Sequence, residues 1–75
     1  MNMIAMCLKI RRNDIVYFRP TPSPGPVIYT CIVYDTRSDA VQIASPDVAM
    51  TWVKRDPRIL TTFVGNGRPV FVNPT

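Results

Sequence analysis

Val27-Ile28-Tyr29-Thr30-Cys31-Ile32-Val33-Tyr34-Asp35 is the stretch that decides the fold. Both alternating sets of side chains in it are large, apolar or branched, the pattern of a strand buried on both faces or bent across a small barrel. The polar run Thr36-Arg37-Ser38-Asp39 follows, then Ala40 to Ala44, and together they predict a hairpin with a four-residue connection.

Upstream lies Pro20-Thr21-Pro22-Ser23-Pro24-Gly25-Pro26, in which four of seven residues have no backbone donor. Such a segment is a stiff loop and cannot join a ladder. Before it, Ile15 to Arg19 reads as the first strand, introduced by the reversing turn Arg11-Arg12-Asn13-Asp14, with Leu8 to Ile10 expected to pair alongside. Downstream, Ser45-Pro46-Asp47 interrupts, Met50 to Lys54 forms the fourth strand, and Arg55-Asp56-Pro57 stops it. Ile59 to Val64 follows after one tight turn. In Gly65-Asn66-Gly67 the Asn-Gly step tolerates positive φ, so residues 63 to 72 read as a terminal hairpin arm beyond a core at 13 to 62. An arm of this kind covers an open edge or reaches a neighbouring subunit. The tail Asn73-Pro74-Thr75 is expected to be loose.

Composition agrees. Of 75 residues 23 are Val, Ile or Thr, only two are Leu and none is Glu, while eight prolines leave no window for a long amphipathic helix. The expectation is one all-β domain over residues 1 to 75. A chain this short has little core, so a self-association surface is expected too.

The order strand, long loop, strong hairpin, fourth strand, tight turn, short fifth strand resembles the SH3-like small barrels over Asn13 to Thr62. Asp14-Ile15-Val16-Tyr17-Phe18, the connection to Gly25-Pro26, Val33-Tyr34 to Val41-Gln42-Ile43, and Trp52-Val53 carry the likeness. Within that class the chain is similar to the carboxy-terminal DNA-binding barrel of retroviral integrases, although it has none of their catalytic or zinc-binding regions. That resemblance implies a five-stranded barrel and a basic binding surface. Val41-Gln42-Ile43 is also similar to part of the pore-lining Val-Gln-Ile-Tyr of plasmid-type dihydrofolate reductases; Ala44 stands in place of the Tyr, and no activity is taken from it.

Catalysis is poorly provided for. The chain has no His and no Glu, and Asp14, Asp35, Asp39, Asp47 and Asp56 all sit in turn contexts, where capping of backbone amides is their ordinary work. Cys7 and Cys31 form no metal-binding pair and have no evident activating base, so they read as free, buried thiols. No enzyme activity, metal, cofactor or small-molecule substrate is expected. The apolar start Met1 to Leu8 precedes its positive charges, the reverse of a secretory signal, and no window is long enough for a membrane span. A cytoplasmic location follows as the expectation.

The formal charge is +4, from seven Arg and two Lys against five Asp. Arg in such excess over Lys favours planar recognition of phosphate or carboxylate. Arg11, Arg12, Arg19, Arg37, Lys54, Arg55 and Arg58 fall at strand ends and turns, with Tyr17, Tyr34 and Trp52 nearby in sequence. Cations that displace counterions and flat rings that stack on bases are the two requirements of nucleic-acid binding, so these ten residues are the candidate site. The ordinary account puts Tyr17 and Trp52 in the core and leaves the arginines as solvated turn tips. The rival function is protein binding, as an interaction module or small viral or accessory factor that blocks or assembles a larger machine.

Overall fold

The computed structural model describes residues 7–21 and 27–72. Its seven elements are all strands: β1 Ile15–Phe18, β2 Tyr29–Thr36, β3 Ala40–Ser45, β4 Val48–Lys54, β5 Leu60–Thr61, β6 Val64–Gly65 and β7 Arg68–Pro69. The first five form one antiparallel sheet in the order β4-β3-β2-β1-β5, curled into a half-barrel. The all-β small-barrel expectation is therefore met. The rest of the proline loop, residues 22–26, and the ends 1–6 and 73–75 lie outside the described residues.

Alternation along the strands builds the interior. Val16 faces Cys31 and Val33 faces Ile43 across their ladders, and these four, with Val41, Leu60, Cys7 and Ile10, form the buried core. Phe18, Tyr29, Val48, Val53 and Ile59 pack around it, half-buried. Tyr17 and Trp52 are not in it, contrary to the ordinary account. They alternate with inward residues Val16 and Val53 and so fall on the outer face.

Two bulges help to bend the sheet. Val33 lies opposite Ile43 but Asp35 opposite Gln42, which makes Tyr34 an extra residue on β2 and turns its ring outward. Ile43 lies opposite Thr51 but Ser45 opposite Val48, so Ala49-Met50 on β4 spans the single Ala44 on β3.

Local chemistry accounts for the turns. Asn13 adopts φ 74°, and the Asp14 carboxylate accepts from the Arg11 N–H at 2.8 Å, which closes the reversal ahead of β1. The β2–β3 connection is tighter than expected, because the Arg37 N–H donates to the Ala40 carbonyl at 2.8 Å and leaves only Ser38 and Asp39 at the tip. Asp56 caps the turn after β4: its carboxylate accepts from the Arg58 N–H and its carbonyl from the Ile59 and Leu60 N–H groups, with Pro57 where a missing donor costs nothing. β5 is correspondingly shorter than the Ile59 to Val64 expectation. The β6–β7 turn has Asn66 at φ 53° and Gly67 at φ 74°, as its Asn-Gly step requires.

One segment differs in placement from the sequence reading. Leu8 to Ile10 does not pair with β1; Cys7 and Leu8 have helical backbone, the chain turns at Lys9, and Cys7 and Ile10 plug the core. The apolar pair at that spacing is satisfied by one turn and needs no ladder. The arm, for its part, folds back on the barrel. The Val72 N–H donates to the Pro57 carbonyl at 2.9 Å and the Arg19 guanidinium reaches the Val72 carbonyl at 3.4 Å.

Candidate functional site

The cations divide between the two ends of the sheet. At the β2–β3 hairpin end, Thr36, Val41 and Val53 form one lateral row, flanked by Asp35-Gln42-Trp52 on one side and Arg37-Ala40-Lys54 on the other. The Arg37 guanidinium lies over the Trp52 ring at 3.8 Å from its centre. That contact explains why Trp52 is half-buried while standing outside the core. Lys54, exposed, sits two strands from Arg37, roughly 10 Å at ordinary strand spacing. Arg12 joins the group through Asp35, which it meets at 3.2 Å. Arg11 is exposed beside it, held by its own backbone N–H.

Asp35 lies between the cations. Its carboxyl is held below the usual carboxylate range first by the Thr36 N–H at 2.8 Å, then by Arg12, with Arg37 adding its field. The Arg12 and Asp35 side chains are 66% and 49% exposed, so solvent screens the pair and Arg12 exchanges partners at small cost.

Two of the candidate arginines, Arg55 and Arg19, tie distant segments together, and a third, Arg58, pairs locally. Arg55 donates to the Cys7, Ile10 and Arg37 carbonyls at 2.9, 3.0 and 3.0 Å, tying the amino-terminal plug to the hairpin. At the opposite end Arg19 donates twice to the Arg58 carbonyl, at 2.7 and 3.2 Å, and stacks on Phe71 at 4.4 Å. Arg58 makes a bidentate pair with Asp56, which lowers the Asp56 carboxyl and raises the guanidinium. No local signal marks the roles of Arg19 and Arg55, because each depends on carbonyls or a ring brought up by another segment, whereas the Arg58 side chain pairs with Asp56 only two residues away. Phe71 was absent from the candidate residues for the same reason.

The aromatics separate likewise. Tyr34 is exposed on a shallow cleft of about 400 Å³ with Ile15, Ile32, Ala44 and Pro46. Tyr17, half-buried, lies between Thr30 and Thr61 on the flanking strands, away from the hairpin. Arg68, exposed on β7, is a further cation that sequence reasoning did not include.

Both cysteines are free and buried. Burial pushes the Cys7 thiol up to about 11, with Arg55 pulling down and Asp56 adding to the rise, while Cys31 is raised by burial and partly relieved by Ser45. Neither has the lowered pKa of a nucleophile. Among the described residues no group of three or more potential metal ligands occurs, and no helix is long and apolar enough to cross a membrane. Comparison with family models, with curated proteins and with solved structures returned no match for this chain.

Proposed function

We propose that this chain is a non-enzymatic binding module of the SH3-like small-barrel class that engages nucleic acid through the β2–β3 hairpin end. The strand order β4-β3-β2-β1-β5 supports the class assignment, and a cytoplasmic setting belongs to the same proposal. The observation that carries the binding reading is Arg37 stacked on Trp52, with Lys54 two residues along β4 and Arg12 held at Asp35 in the same lateral row as Trp52. Phosphates meet exchangeable cations there, and a base has a flat partner in the indole or the guanidinium plane. Arg19 and Arg55 serve as supports and Arg58 is paired with Asp56 at the opposite end, so the surface that binds is smaller than the full set of basic residues.

The test uses the single tryptophan, Trp52, as its own reporter, with short single-stranded DNA and RNA oligonucleotides as probes. Displacing counterions at about three sites predicts affinity that falls roughly 20-fold between 50 and 200 mM salt. Arg37→Ala weakens binding and lowers the salt slope by about one, whereas Arg37→Lys keeps the slope and loses the stacking. Absence of binding at low salt refutes the reading. It would favour the second one, a protein partner docking on the apolar cleft beside Tyr34 and Ile15, which are 49% and 53% exposed.

A further inference from the structure

β4 is an outer strand of the sheet, and among the described residues nothing pairs with its far side. Half of its backbone donors and acceptors therefore face away from β3. Natural sheets protect such an edge with charge, proline or a covering segment. From Val48 to Val53 this strand has neither charge nor proline, Ala49, Met50 and Thr51 are exposed, and Met50 is 53% exposed. Among the described residues its protection is the bulge at Ala49-Met50.

We propose that β4 pairs antiparallel with β4 of a second copy of this chain, about a two-fold axis between Met50 and Thr51. Charge selects that occupant. Asp47 immediately precedes the strand and Lys54 ends it, so antiparallel self-pairing in this register sets Lys54 of each copy opposite Asp47 of the other. The bulge decides the register. It shifts side-chain alternation by one, so Val48 and Val53, which both pack toward the core, meet on the inner face, and only at the axis does outward Met50 meet Thr51, which lies opposite inward Ile43. On the other face exposed Ala49 lies opposite the bulky Trp52. A slip of one residue sets Val48 against Lys54 or against Trp52 and carries the mixing of inner and outer faces from the axis out along the strand. The result is a continuous ten-stranded sheet with an isologous interface.

An interface of one short strand pair is small, so association is expected with a dissociation constant on the order of 100 μM. Sedimentation equilibrium of the full chain without nucleic acid, from about 10 μM to 1 mM, measures it. Asp47→Lys and Lys54→Asp each place like charges opposite one another at two symmetric positions and weaken the dimer about tenfold, and the double exchange restores it. A monomer at 1 mM overturns the proposal. So does a dimer indifferent to the single charge reversals, or one that the double exchange fails to recover. Oligonucleotide binding is read separately, so its loss or retention leaves this outcome unaffected.

Discussion

Replacing Arg55 by Ala should release the amino-terminal plug while the barrel stays folded. The guanidinium bridges the Cys7 and Ile10 carbonyls on one side and the Arg37 carbonyl on the other. A hydrogen bond from a charged donor contributes about 1.5–3 kcal/mol net. The bond to Arg37 is solvent-exposed and is discounted; the two part-buried bonds, at the low end of that range, give about 3 kcal/mol. If the loss falls on local opening of residues 7 to 10, the open fraction rises about 100-fold, since each 1.4 kcal/mol is a factor of ten. Cys7 is 3% exposed and loses its cover on opening, whereas Cys31 lies on β2 at the centre of the sheet. Alkylation at mildly alkaline pH, with each cysteine followed separately by mass spectrometry, should show Cys7 labelling about 100-fold faster in Arg55→Ala and Cys31 nearly unchanged. Arg55→Lys, which keeps the charge but not the fork, should fall between. Equal acceleration at both cysteines would mean global destabilisation, and a change under about threefold at Cys7 would mean that the bridge has no mechanical role; either result refutes the reasoning.

Leu60 is fully buried in the core, and Leu60→Ala should cost about 3 kcal/mol by urea denaturation followed on Trp52 fluorescence; a loss under about 1 kcal/mol contradicts the packing. The folded-state pKa of Cys7, about 11, is raised above its ordinary 9.0, so the folded chain holds that proton more tightly. Its stabilising contribution is complete below about pH 9 and is lost as pH rises toward 11; Cys7→Ala should flatten that part of the stability profile, and an unchanged alkaline slope counts against it. A Cβ at Gly67 would meet nothing within 4 Å, so Gly67→Ala tests backbone strain alone at φ 74° and should cost about 1 kcal/mol. A stabilised variant would exclude the left-handed turn.

Much of the sheet was legible because its signals are local. Pro20, Pro46 and Pro57 bound strands by removing donors, wherever the rest of the chain goes. The branched run through Cys31 and Val33 has the same logic, as does the Asn66-Gly67 turn, where two adjacent residues determine the geometry. The candidate site was legible only in part. Arg37 and Trp52 are 15 positions apart in sequence, and their stacking follows from a register that puts Trp52 opposite Gln42 and Lys54 opposite Ala40.

By itself the sequence determined the strand content, the turn chemistry, the basic balance and the thiols' burial, since each rests on neighbours a few residues away or on the apolar character of a single side chain. Tertiary structure alone decided which arginines are consumed as braces and which remain exchangeable. A guanidinium between two backbone carbonyls and one facing solvent have identical local sequence requirements, and they differ only in what a distant segment delivers to within 3 Å, as Cys7 and Ile10 are delivered to Arg55. It likewise decided that Trp52 lies outside the core and that the terminal arm returns to Pro57, because pleat parity and bulge position, not hydrophobicity, choose the face a side chain occupies.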